Sequence, residues 1–258
     1  MNIREIIDAL ERFAPLPLQD DYDNSGLQVG TTETEVSGVL LCLDVTRQVV
    51  DEAINNGCNM IISHHPLLFR PLKKLTDDNI GSIVMSAVRL GITIYASHTN
   101  LDNASNGVNM RIANVLGLTD VKPLDEHPDG NGAGIIGRFP SAMTEDDLLA
   151  LVKERFGVQC IRHNGKLGRK ISRMAVCGGS GAFLAEKAVE QGADAFMTGE
   201  IGYHRFFGYD GVIKLIETGH FESEQFTVDL IADILKESFP TLKTVKTTTK
   251  TNPINYYI

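Results

Sequence analysis

The sequence predicts an α/β protein, and three observations carry that prediction. From Gly38 onward, short apolar runs alternate with amphipathic helical patterns, the arrangement that builds a parallel sheet covered by helices. Helix-capping residues and glycines punctuate the alternation where elements should start and stop. At 258 residues, with 43% hydrophobic and 22% charged residues, the chain can bury a sizeable core as one large domain or two small ones.

Taken in order, "MNIREIIDALERF" reads as an amphipathic helix with acidic residues rather than a signal peptide. The connector "APLPLQDDYDNSGLQVG" is rich in Pro, Asp and Gly. Strands follow at "GVLLCLD", "NMIISHH" and "ITIYASH". Between them lie the helices "TRQVVDEAINNG", with Thr46 as N-cap and Gly57 as C-cap, and "NIGSIVMSAVRLG". The first half is therefore a series of β-α-β units. At "LDEHPDGNGAG", residues 124–134, turn formers cluster and the apolar pattern lapses, which marks a boundary. A second α/β set follows: "GAGIIGRF", the helix "TEDDLLALVKERFG", "VQCIRH", "ISRMAVCGG", the helix "AFLAEKAVEQG", "ADAFMTGE" and "GVIKLIETGH". A long helix, "SEQFTVDLIADILKESF", leads to a last strand near "LKTVKT", expected to return to the first domain. The division is 1–125 with 220–258 as domain one and 126–219 as domain two.

A formal net charge of -9 argues against a nucleic acid backbone as partner, because that binding rests on clustered Lys and Arg. The basic runs "RHNGKLGRK" and "KTVKTTTK" read as solvated surface. No apolar run approaches the ~20 residues that span a bilayer, so no membrane partner is expected. Cys42, Cys58, Cys160 and Cys177 form no C-x-x-C pair and mostly lie in apolar contexts, which reads as reduced core thiols and a cytoplasmic location.

In an open parallel sheet, ligands collect at the carboxyl ends of the strands. There the sequence places His64 and His65, then His98 with Asp102 four residues on, then His220 with Glu224 four residues on. One His at a strand end is ordinarily a satisfied polar group; the joint pattern points to metal. Consecutive strand residues face opposite ways, so His64 and His65 either sit where the strand unwinds before Pro66 or reach two ions. If a helix starts near Phe221, His220 and Glu224 meet on its first turn. Imidazole with carboxylate and no thiolate suits Zn, Fe, Mn or Co. A ligand set short of saturation leaves room for water, the nucleophile of metal-assisted hydrolysis.

The motifs "DNSGLQVG" from Asp23, "SHHPLLF" from Ser63, "SHTNLD" from Ser97, "GGSG" from Gly178, "TGEIGYH" from Thr198 and "GHFESE" from Gly219 together resemble the Nif-three-like dinuclear metal centre, hexameric family. Its members are often described as GTP cyclohydrolase I type-two homologues. The resemblance spans essentially the whole chain. It implies two similar three-layer α/β domains, a metal site at the carboxyl ends of strands between them, and a toroidal homohexamer. Two divalent metal ions per subunit are implied, with His64, His65, Asp102, His220 and Glu224 as ligands. His98 becomes a neighbour of the metals able to move protons, and Glu224 a second catalytic group. The family's usual Trp before the first Asp is Tyr22 here.

Asn24 and Gln28, in "DNSGLQVG", read as lining the site through the family match, and Glu200 and His204 of "GEIGYH", four apart and following a strand, read as site-lining rather than ligands. "AVCGGSGAF" lacks the P-loop Lys and a Rossmann spacing, so its glycines read as tight packing rather than an anion cradle. Two functions follow: a dinuclear metal-dependent hydrolase, with GTP ring opening as the implied activity, or a non-catalytic metal-binding hexameric scaffold that binds a partner.

Overall fold

Each apolar run in the first half is short because it forms one strand of a parallel sheet, covered on both faces. The computed structural model describes residues 1–257. It forms two compact units, one of Met1–Ala104 with Thr227–Pro253, the other of Ser105–Phe226 with the residues from Ile254 onward.

In chain order, α1 (Ile3–Phe13) and β1 (Gly26–Val29) precede β2 (Val39–Cys42), α2 (Arg47–Asn55), β3 (Met60–Ser63), α3 (Asn79–Leu90), β4 (Thr93–Ala96) and α4 (Thr99–Asn103). The second unit contributes α5 (Val108–Leu116), β5 (Thr119–Glu126), β6 (Gly132–Met143), α6 (Glu145–Phe156), β7 (Arg162–His163), β8 (Ile171–Cys177), α7 (Ala185–Glu190), β9 (Ala195–Thr198), β10 (Lys214–Glu217) and α8 (His220–Glu224). The chain then returns to the first unit as α9 (Thr227–Ser238) and β11 (Thr244–Lys246).

Among the described residues the first sheet runs β1-β4-β3-β2-β11. β2, β3, β4 and β11 are parallel, and β1 lies antiparallel on β4. Local chemistry sets the helices between them. The Thr46 hydroxyl accepts from Val49 N to start α2, the Asp78 carboxylate accepts from Gly81 N to start α3, and Gly57 follows α2 with φ of +64°. On one face Leu40, Ile61 and Ile94 pack with Val49, Val50 and Ala53 of α2 and Ile83 and Ala87 of α3. From the other face Tyr95 donates its hydroxyl to Glu11 of α1, which packs with α9. The result is three layers.

The second sheet runs β5-β6-β8-β9-β10-β7. Only β8, β9 and β10 are parallel; β5, β6 and β8 run antiparallel, and β7 is an antiparallel edge. Ile136, Ala175, Phe196 and Leu215 meet Leu184, Ala185 and Ala188 on one side, and α5 packs on β6 and β8.

Four sequence expectations change. The turn formers at 124–134 close the β5–β6 hairpin, where His127 N donates to Asn131 O at 2.7 Å, so they mark a turn within the second unit. The long helix "SEQFTVDLIADILKESF" is broken between Glu224 and Thr227. Part of the connector "DNSGLQVG" becomes β1. Cys42 and Cys58 are buried, but Cys160 is exposed, since "VQCIRH" supplies only the two-residue edge β7. β11 pairs in parallel with β2 at the edge of the first sheet. No helix among the described residues is long and apolar enough to cross a membrane.

Candidate metal centre

β3 sits in the middle of the first sheet and ends at Ser63, so His64 and His65 lie beyond the ladder rather than within it. The strand's direction continues for two more residues: His64 N donates to Cys42 O and His65 N to Leu43 O. Once the ladder ends, consecutive side chains need not face opposite ways, and the two rings lie 4.9 Å apart, centroid to centroid. β4 ends two residues before His98, whose ring lies 5.2 Å from His64 and 5.5 Å from His65. One ring nitrogen of each of the three lies within 4.8 Å of the others, a donor group able to hold a metal ion.

Each imidazole is anchored through Nδ1. His64, fully buried, has Nδ1 at 2.8 Å from the Ser97 carbonyl, His65 at 2.8 Å from Asp44 Oδ1, and His98 at 2.7 Å from Asp23 Oδ1. A carbonyl or carboxylate only accepts, so each Nδ1 carries the proton and each Nε2 the lone pair. Asp23 is itself held by the Thr99 amide and hydroxyl and by the Ser25 hydroxyl. Burial works against its charge, yet the hydrogen bonds from His98, Thr99 and Ser25 keep its carboxyl well below the usual carboxylate range. One turn after His98, α4 carries Asp102, with Oδ1 at 3.6 Å from His64 Nε2.

The second unit holds a smaller donor group. Gly219, with φ of +97°, turns the chain from β10 into α8, which starts at His220. His220 Nε2 stands 3.1 Å from Glu224 Oε2, and its Nδ1 lies 3.0 Å from Glu200 Oε1. The Ser180 hydroxyl donates to the other Glu200 oxygen at 2.5 Å. Burial opposes the charge on Glu200, but Ser180 and His220 outweigh it and lower its pKa. Glu224 is buried, and "GGSG" is built around it: a Cβ on Gly179, where φ is +59°, would stand 2.2 Å from Glu224 Oε1. The amides of Gly178, Gly179 and Gly181 donate to Asn109, Ser223 and Thr198 side chains, which supports tight packing over an anion cradle.

The other expected site residues fall in different places. Asn24 donates to Leu68 O at 2.6 Å, and Gln28 accepts from Leu68 N at 3.1 Å, so both hold the loop that follows His65. His204 is exposed on a short 3-10 helix, Tyr203–Phe206, its ring against Tyr203 and Phe207. Glu200 sits closer to the chemistry than a lining residue, as the carboxylate on His220 Nδ1. Sequence reasoning missed Asp23 and Asp44 as orienting carboxylates. Asp44 ends "GVLLCLD" at a strand's carboxyl end, a signal that was there to use.

The family model described as Duf34/NIF3 (NGG1p interacting factor 3) matches residues 1–253. A Lactococcus lactis protein named "GTP cyclohydrolase 1 type 2 homolog" is 39% identical over 262 aligned positions, covering 98% of each chain. A Clostridium acetobutylicum protein of the same name is 36% identical, covering 87% of this chain and 85% of its own. The crystal structure of a Staphylococcus aureus hypothetical protein superposes with a TM-score of 0.92 at 29% identity, covering 100% of this chain and 99% of its own. With a match from the first residue to Pro253, through both donor groups and the strand that closes the first sheet, the chain belongs to the Duf34/NIF3 family.

Proposed function

We propose that the protein is a dinuclear metal-dependent hydrolase that opens the guanine ring of GTP, the activity after which its curated relatives are named. The observation that carries the metal reading is the common anchoring of three imidazoles, each with Nδ1 committed to a carbonyl or carboxylate. That is how protein histidines are prepared to ligate through Nε2. His64, His65 and Asp102 of the first unit, and His220 and Glu224 of the second, are the ligands. Nitrogen and oxygen donors without thiolate fit Zn, Fe, Mn or Co. When bound, such ions activate water and polarise the group under attack.

The chain's own residues supply the rest. Hydrolytic ring opening adds water across one carbon–nitrogen bond to leave a formamide, and a second water across the remaining bond releases that carbon as formate, so in each step one group must take a proton and one must return it to the departing nitrogen. His98 Nε2 takes the proton, while the Asp23 carboxylate on Nδ1 holds the ring and stabilises the imidazolium. Glu224 passes a proton as well as ligating. Glu200 fixes the His220 ring. Asn24 and Gln28 hold the loop after His65 in place beside the substrate, and His204 offers a flat exposed ring to a planar base. The working form is a toroidal homohexamer in the cytoplasm.

Elemental analysis of freshly purified protein is expected to give two divalent ions per chain, the count of a two-metal site. His65→Ala and Glu224→Gln are expected to lose metal and, with it, formate release from GTP. Metal present without formate, in an assay that works with a control enzyme, removes the GTP activity and leaves the metal-binding scaffold. Metal content near zero after careful handling removes both.

A further inference from the structure

β11 runs parallel to β2 along the edge of the first sheet, with Lys246 opposite Leu41. Thr247 N then donates to Leu41 O at 2.9 Å, so the C-terminal segment keeps to the same track beyond the strand. That track leads to the carboxyl end of β2, where Asp44 lies. On the way the segment is clasped by Glu52 of α2. One Glu52 oxygen accepts from the Thr248 amide and hydroxyl at 2.7 and 2.8 Å. The other accepts from the Thr247 hydroxyl at 2.5 Å and from the Thr249 hydroxyl at 2.7 Å. Two residues further on, the Thr251 hydroxyl lies 3.2 Å from Asp44 Oδ2, while Asp44 Oδ1 lies 2.8 Å from His65 Nδ1.

From this chain of contacts we propose that Thr251 is a positioning residue for metal binding, acting through Asp44 on His65, and that the Glu52 clasp exists to deliver it there. A carboxylate on a short side chain can rotate about its last bond. A hydroxyl donating to one oxygen fixes that rotation, which aims the other oxygen at Nδ1 and sets both tautomer and ring plane. The basic, threonine-rich run "KTVKTTTK", read from the sequence as solvated surface, is a strap whose threonines are all spoken for. The inference rests on His65 being a ligand, as proposed above.

The test titrates the metal-free full-length protein with Zn²⁺ against a chromogenic chelator. Loss of a residue that directly orients a metal ligand costs ~10–100-fold in affinity, and Thr251 stands one step further out, so Thr251→Val is expected to weaken Zn²⁺ binding by about 3–10-fold. Thr251→Ser, which keeps the hydroxyl, is expected to bind as wild type, and Asp44→Asn is expected to weaken binding more than Thr251→Val. The melting temperature of the metal-free Thr251→Val protein is expected to match wild type, which separates positioning from folding. If Thr251→Val binds Zn²⁺ as tightly as wild type while His65→Ala loses it, the positioning role is overturned and the ligand reading stands. If His65→Ala also binds unchanged, the ligand reading falls and takes the inference with it.

Discussion

Gly179→Ala should disable the second donor group through a single methyl. Two costs can be separated. An L-residue at positive φ is strained by ~1–2 kcal/mol, and Gly179 sits at +59°. The added Cβ would also stand 2.2 Å from Glu224 Oε1 and 3.3 Å from His220 Nε2. Glu224 is only 3% exposed, and a Cβ direction at Gly178 already meets its Cγ at 3.2 Å, so the carboxylate has little room to retreat. Moving it breaks the 3.1 Å contact with His220, and a hydrogen bond to a charged group is worth ~1.5–3 kcal/mol. Gly157 is the control: its φ is +63°, and nothing lies within 4 Å of its Cβ position. Gly157→Ala pays the backbone strain alone, and the unfolded-chain effect of Gly→Ala is common to both variants. The expected excess for Gly179→Ala is therefore ~1.5–3 kcal/mol, or roughly 5–10 °C in melting temperature for a unit of this size. Calorimetry of both variants measures it, with metal content measured on the same samples. Equal melting temperatures and equal metal content in the two variants would refute the claim that the glycine exists to admit Glu224.

Three further outcomes follow from the same contacts. Glu52 is held at a pKa of about 2 because, although burial opposes its charge, the hydroxyls and amide of Thr247–Thr249 favour the carboxylate. A depressed folded pKa stabilises above the ordinary value and loses that contribution as pH falls, so Glu52→Gln should flatten the fall in stability between pH 4.5 and about 2 in acid titrations followed by circular dichroism. Lys214 is 2% exposed and pairs with Glu145 at 3.2 Å, while donating to the Asn164 and Gly165 carbonyls. Breaking a buried pair on one side costs ~3–5 kcal/mol, so Lys214→Met should lower urea stability by that order, and Glu145→Gln in the same chain should recover part of it. Asp23→Asn replaces an acceptor-only carboxylate with an amide that can also donate, so the proton is no longer confined to His98 Nδ1; formate release from GTP should fall by at least ~10-fold while metal content stays at the wild-type value.

The histidine positions were legible because parallel strands buried on both faces leave few polar residues, and those few mark where the strand ends. Met60–Ser63 and Thr93–Ala96 are buried throughout, and His64, His65 and His98 follow them. The α/β alternation was legible for the same reason. What was hidden depends on contacts across the sequence. Asp23 meets His98 from 75 residues away and Thr251 meets Asp44 from 207, and no local spacing encodes either pairing. Composition also cannot separate a hairpin turn from a linker, since both need residues that tolerate tight backbone geometry, which is how 124–134 passed for a boundary. The amphipathic pattern through "SEQFTVDL" was continuous, so the break after Glu224 left no trace in it.

The first unit takes its two edge strands from opposite ends of the chain. β1 is made before and β11 after the whole stretch Ser105–Phe226. Growing from its N-terminus, the chain exposes His64, His65 and His98 long before the strand that covers the open edge of β2, and before the threonine that steadies Asp44. A half-made chain therefore carries three imidazoles on an unfinished sheet. The sheet closes only after the whole of Ser105–Phe226 has been made and β11 has followed it, so the order of synthesis delays the finished donor group.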